Sequence, residues 1–261
     1  MGWPLLAAAV ALTANLASAG AQAPPADEVP AAEILDMEHE RHRRMTVPVT
    51  IGGQGPFRFM IDTGAQATVL SRTLADQLGL FDRRPATLVG MASSRPVETT
   101  EISDLGLGSR SFLIQTAPVV EGAYIGGADG ILGLDSLQNQ RVLIDFAQRQ
   151  LTVADAESQG ADEGFEIVVR ARRKLGQLII TSARLDGVKV AVMVDTGAQG
   201  SLGNLALLER LRSRSVAETS LTDVNGVALG GPVKIVRELD LGRVRLNNVP
   251  VMFADSPTFH M

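Results

Sequence analysis

Two five-residue segments of this 261-residue chain are identical: Asp62-Thr63-Gly64-Ala65-Gln66 and Asp195-Thr196-Gly197-Ala198-Gln199. Each follows an apolar pair, Met60-Ile61 and Met193-Val194, and the two aspartates stand 133 positions apart. One Asp-Thr-Gly alone reads as a turn or helix cap, because Asp favours such positions and Gly supplies positive φ. Two copies in the same context allow more, since a pseudo-twofold axis can bring two carboxylates face to face. Like charges about 3 Å apart cannot both ionise freely, so such a pair holds one proton between them. The ionised member can take a proton from a water while the protonated member hydrogen-bonds a developing oxyanion. That is the chemistry of amide hydrolysis with neither metal nor covalent intermediate. Gly64 and Gly197 allow the backbone to turn close beneath the carboxylates, with Ala65 and Ala198 next to them. Thr63 and Thr196 are expected to exchange hydroxyl-to-backbone hydrogen bonds across the axis and fix the separation of the loops.

Short β-like segments must position these loops. Thr46-Val47-Pro48-Val49-Thr50-Ile51, a Gly-rich turn and Phe57-Arg58-Phe59-Met60-Ile61 form a hairpin running into Asp62. Leu178–Leu185, the Asp186-Gly187 turn and Val188–Val194 do the same for Asp195. Further strands are expected at Ala86–Val89, Val97–Ile102, Ser111–Ala117, Arg141–Phe146 and Gln150–Val153. A short helix is expected after each loop, at Ser71–Leu78 with Ser71 as its cap, and at Asn204–Leu211. The repeated order makes the chain an internal duplication. Two segments carry the glycine and small residues of mobile hairpin tips, Gly90-Met91-Ala92 and Asn225-Gly226. Such hairpins could close over an extended peptide and exclude water from the carboxylates.

Composition narrows the chemistry. The chain has no cysteine, which removes thiol catalysis, disulfides and zinc-thiolate sites. The net charge of −5 offers no broad attraction for nucleic acid. His39 and His42 have a spacing that two metal ligands could use, but Arg41, Arg43 and Arg44 beside them oppose a bound cation, and no cofactor is expected. The apolar run from Leu5 to Leu16, followed by Ala17-Ser18-Ala19 and Ala21-Gln22-Ala23, reads as an export signal too short for a membrane span. A periplasmic or secreted bacterial protein is the resulting expectation.

These residues resemble the aspartic peptidases, and the alanine after each glycine is closer to their retropepsin-like branch. The resemblance covers about residues 45–261 and implies an all-β fold with short helices, built as two pseudo-twofold-related, closed-barrel-like lobes. It implies an endopeptidase acting on peptides or unfolded proteins, with Asp62 and Asp195 catalytic and the pseudo-dimer formed within one chain. In that family each lobe also carries a hydrophobic-hydrophobic-Gly element behind the catalytic loop. Ile131-Leu132-Gly133 matches it in lobe one. The only tyrosine, Tyr124, lies outside the flap segments, unlike the flap tyrosine of pepsin.

The resemblance departs in lobe two. Ile131 lies 69 positions after Asp62, and the same step from Asp195 leads to position 264, past Met261. Lobe two is therefore expected to be incomplete at its carboxyl end, through truncation, a minimal lobe or strands from another subunit. The resulting organisation is an export signal (1–23), a connector (24–44), lobe one (45–153), an interlobe linker (154–164) and lobe two (165–261). A peptide-binding scaffold without catalysis, or a protease active only as a homodimer or in a longer form, are the alternative readings.

Overall fold

The computed structural model describes residues 5–7, 33–39, 44–137, 140–146, 148–155, 179–212, 215–242 and 244–260. In chain order the first half gives β1 (Leu5–Ala7), β2 (Glu33–Asp36), β3 (Glu38–His39), β4 (Met45–Ile51), β5 (Gln54–Ile61), β6 (Val69–Ser71) and helix α1 (Arg72–Gln77). It continues with β7 (Arg84–Val89), β8 (Ser94–Leu107), β9 (Arg110–Val120), β10 (Gly130–Leu132), β11 (Gln140–Asp145) and β12 (Gln150–Asp155). The second half gives β13 (Ile179–Leu185), β14 (Val188–Met193), β15 (Ser201–Gly203) and helix α2 (Leu205–Arg210). Three strands complete it: β16 (Ser215–Thr222), β17 (Ala228–Asp240) and β18 (Arg245–Phe253).

Alternation of apolar and polar residues explains the strands. In β4, Val47, Val49 and Ile51 turn inward while Pro48 and Thr50 face out, except near the closed end where Thr46 is also buried. The fold is all-β with two short helices, as the pattern predicted. Lobe one closes into a six-strand barrel in the order β4-β5-β10-β6-β9-β8, with β8 returning to β4. Lobe two closes in the corresponding order β13-β14-β1-β15-β18-β17, with β17 returning to β13. Each barrel is filled by its own cluster, Phe59, Leu70, Leu105 and Leu132 among others in the first and Val190, Val192, Leu207 and Phe253 in the second.

The two helices start at equivalent positions and by the same device. Ser71 Oγ accepts from the Leu74 amide at 3.1 Å, and Asn204 Oδ1 accepts from the Leu207 amide at 2.9 Å. At the other end of α2, the buried Lys234 ammonium donates to the Leu208 and Leu211 carbonyls.

Three boundaries differ from those read in the sequence. The expected connector at 24–44 contains β2 and β3: β2 pairs with β12, Leu35 opposite Leu151, and Met37 is buried in the lobe-one core. The acidic residues around these apolar ones hid a strand whose partner lies more than a hundred residues away. Strand β8 runs well beyond Val97–Ile102, because β7, β9 and β4 each pair with part of it. Lobe two does not lack a strand between β14 and β15, since Leu5–Ala7, from the segment expected to be an export signal, occupies that place. The remainder of that segment, His42 and residues 156–164 of the expected interlobe linker lie outside the described residues. None of the described helices is long and apolar enough to cross a membrane.

Candidate active site

Strands β5 and β14 each deliver an aspartate at their carboxyl end, and the following tight loop folds its amides back on the carboxylate. Asp62 Oδ1 accepts from the Gly64 and Ala65 amides at 2.8 and 2.9 Å. Asp195 Oδ1 accepts from the Gly197 and Ala198 amides at 2.8 and 3.1 Å. One oxygen of each carboxyl is thereby held by backbone, and the other is left for chemistry.

The threonines join the lobes as their spacing predicted. Thr63 Oγ1 donates to the Val194 carbonyl at 2.9 Å and accepts from the Thr196 amide at 3.1 Å. Thr196 Oγ1 donates to the Ile61 carbonyl at 2.9 Å and accepts from the Thr63 amide at 3.1 Å. Each hydroxyl thus satisfies one donor and one acceptor of the opposite lobe.

The glycines act across the axis as well. A Cβ on Gly64 would lie 2.5 Å from Asp195 Cγ, and one on Gly197 would lie 2.4 Å from Asp62 Oδ2. Any side chain at either position would collide with the opposite carboxyl. The two carboxyls are therefore neighbours, each packed against the other lobe's loop. Asp195 is pushed well above the usual carboxylate range, first by burial, next by the Asp62 charge and then by a hydrogen bond between the two side chains.

Ile131-Leu132-Gly133 supports Asp62 from behind. The Asp62 amide donates to the Leu132 carbonyl at 3.2 Å, and the Leu134 amide donates to the Ala65 carbonyl at 2.9 Å. Gly133 passes so close to the loop that a Cβ there would meet the Ala67 carbonyl carbon at 2.4 Å. Sequence reasoning missed the residues that lock this crossing. Thr68 donates its hydroxyl to Asp135 Oδ1 at 2.6 Å and accepts from the Gly133 amide at 3.2 Å. Asp135 also accepts from the Thr68 and Ser136 amides. Burial raises the Asp135 carboxyl from its ordinary range, against these hydrogen bonds. An Asp two residues beyond the hydrophobic-hydrophobic-Gly element was the available signal.

Both flap segments reach the site. The β7–β8 hairpin turns at Gly90–Ser93, closed by the Gly90 amide on the Ser93 carbonyl at 2.7 Å, and the β16–β17 hairpin turns at Asp223–Val227. The tips interlock through Asp223, which the sequence did not mark. Its Oδ2 accepts from the Ala92 amide at 3.1 Å and the Ser93 hydroxyl at 2.8 Å, and its Oδ1 from the Asn225 and Val227 amides, both at 2.9 Å. Asn225 Nδ2 donates in return to Ser93 Oγ at 3.0 Å and the Leu88 carbonyl at 3.2 Å. Met91 is held by Ser256, whose hydroxyl donates to its carbonyl at 2.5 Å.

Between flaps and carboxyls lies a cavity of about 460 Å³. Its walls include Asp62 and Asp195, Gly90 and Met91 of one flap, Val224 of the other, and the apolar Met60, Val69, Ile125 and Ile131. Tyr124, outside the flap segments in the chain, lines this cavity, and its ring fills the space a Cβ on Gly226 would take. A long-range approach of this kind has no local signature.

Paired barrels, each offering an Asp-Thr-Gly loop to a common cleft, define the aspartic peptidase class. Comparison with family models agrees in both lobes. Residues 47–139 match the family described as "gag-polyprotein putative aspartyl protease", and residues 181–261 match the family described as "Aspartyl protease". Each lobe thus matches an aspartyl protease family. Among solved structures it is similar to a retropepsin-like aspartic protease from Rickettsia conorii, at 18% identity and a TM-score of 0.35, over 51% of this chain and 96% of that one. The comparison with curated proteins finds no match.

Proposed function

We propose that the protein is an aspartic endopeptidase in which Asp62 and Asp195 act as one pair within a single chain. The observation that carries this reading is the reciprocal packing of the loops, each threonine and each glycine fitted to the opposite lobe's aspartate segment. A pure binding scaffold has no need of two carboxyls held in electrostatic conflict.

The pair holds one proton between its carboxyls, and on this reading it rests on Asp195, the more buried of the two. A water between the carboxyls loses a proton to Asp62 as its oxygen attacks the peptide carbonyl carbon. Asp195 gives its proton to the carbonyl oxygen. The tetrahedral diol collapses as Asp62 passes its proton to the departing nitrogen and a diol hydroxyl returns one to Asp195. The C–N bond breaks and the pair regains its starting proton count. An extended peptide lies between carboxyls and flaps, its apolar side chains against Met60, Val69, Ile125 and Ile131.

Asp62→Asn and Asp195→Asn test the reading separately. Each is expected to abolish cleavage of an unstructured protein at acidic pH while leaving the far-UV circular dichroism unchanged. Wild-type turnover in either variant refutes it. Peptide capture measured beside turnover separates catalysis from binding alone.

A further inference from the structure

We propose that the amino-terminal segment Leu5–Ala7 is the central strand of the lobe-two barrel, and that the slot between β14 and β15 is a strand-accepting site filled by the chain's own amino terminus. The argument rests on register. In lobe one, β10 lies parallel to β5 and antiparallel to β6, with Gly130 opposite Phe59 and Leu70, and Ile131 opposite Met60 and Val69. In lobe two, β1 lies parallel to β14 and antiparallel to β15, with Leu6 opposite Val192 and Gly203, and Ala7 opposite Met193 and Leu202. Each of these four lobe-two partners lies 133 positions after its lobe-one counterpart, the same interval that separates Asp62 from Asp195. Leu6 therefore stands where Gly130 stands, and Ala7 where Ile131 stands. A chance contact of an apolar segment with a sheet edge has no reason to match both strand directions and both registers.

The slot also has a physical demand for an occupant. Without β1, β14 and β15 would each turn a row of unpaired N–H and C=O groups into the gap between them, beside the buried Val192 and Leu202. The lobe-two ring would stand open between β14 and β15. Asp195 follows the end of β14 by two residues, so the opening would lie directly behind the Asp195 loop, while Asp62 keeps β10 behind it. The segment expected to serve as an export signal and the strand that completes lobe two are the same residues. Removal of residues 1–23 would withdraw that strand from one lobe and leave the other untouched.

The absence of native cysteine makes a cross-linking test clean. Residues directly opposed in antiparallel strands have Cα atoms about 4.5–5.5 Å apart, inside the range a disulfide spans. In the full chain, the pair Ala7→Cys/Leu202→Cys is expected to form an intramolecular disulfide on mild oxidation, seen by mobility shift and peptide mass. The pair Ala7→Cys/Val216→Cys, with Val216 exposed on the outer hairpin, should not. Equal cross-linking by both pairs, no cross-link in the first, or a cross-link between two chains overturns the proposal.

Hydrogen exchange gives a second measurement that needs neither cysteine nor turnover. In the unaltered chain the Leu6 and Ala7 amides should exchange at least about 100-fold more slowly than unstructured amides, as for strands inside a barrel. Exchange at unstructured rates refutes the assignment. Leu6→Pro, which removes a ladder donor, should accelerate exchange at residues 191–193 and 202–203 at least about tenfold, with residues 59–61 and 69–70 unchanged. Unchanged exchange in lobe two refutes it equally. None of these readings depends on the chain being a peptidase.

Discussion

Thr63→Val asks whether the cross-lobe threonine lock holds the two aspartates together. Valine keeps the shape of the buried side chain and removes only its hydroxyl. Two backbone groups of the opposite lobe then lose their partner: the Val194 carbonyl, which accepts from Thr63 Oγ1 at 2.9 Å, and the Thr196 amide, which donates to it at 3.1 Å. Leaving a buried polar group unpaired costs about 1–3 kcal/mol, so two cost about 2–6 kcal/mol, and partial relaxation of the loops favours about 3 kcal/mol. That is a large share of the roughly 5–15 kcal/mol by which domains are stable. Thr63→Ser keeps both hydrogen bonds and gives up one buried methyl, about 1 kcal/mol. Urea unfolding followed by far-UV circular dichroism, with kcat/KM on an unstructured protein measured beside it, separates the cases. Valine should lower both stability and kcat/KM, the latter by about 100-fold if the carboxyls drift by an ångström. Serine should stay within about threefold of wild type in kcat/KM, a difference of under 1 kcal/mol. A valine variant within about 0.5 kcal/mol of wild type, which is the range of an ordinary surface substitution, would refute the lock. So would a serine variant as impaired as valine.

Other perturbations test the remaining parts of the site. Gly64→Ala should act on the opposite lobe's carboxyl, because its Cβ would lie 2.5 Å from Asp195 Cγ; a loss of about 100-fold in kcat with the fold retained is expected by steady-state kinetics and circular dichroism. The Asp195 carboxyl, raised in the folded state, binds more protons there than in the unfolded chain between about pH 3.9 and its native value. Stability should therefore fall as pH rises through that window, and urea midpoints of Asp195→Asn should lose this part of the slope. Asp223→Ala removes the acceptor of four flap hydrogen bonds; hydrogen exchange at Ala92, Asn225 and Val227 should quicken at least tenfold, and KM should rise more than kcat falls.

How far the sequence could be read depended on whether the information was local. Ser71 and Asn204 were legible as caps because a cap bonds an amide three residues on, within the same turn. The strands leading into the two aspartates were legible because alternation records which face is buried. Asp223 was not, since its two outer partners lie 131 and 130 positions away and a turn aspartate looks the same with or without them. The place of Tyr124 in the cavity was not legible for the same reason. β2 was missed because acidic neighbours masked a short strand whose pairing partner is β12.

By itself, then, the sequence determined the all-β lobes and the two identical Asp-Thr-Gly-Ala-Gln loops, because repetition and period are properties of one chain read in order. Tertiary structure alone decided what stands between β14 and β15, what locks the flaps and which lobe presses on which carboxyl. Strand pairing and close packing join residues by distance in space, and nothing in the order of residues marks Leu6 as the partner of Val192 and Gly203.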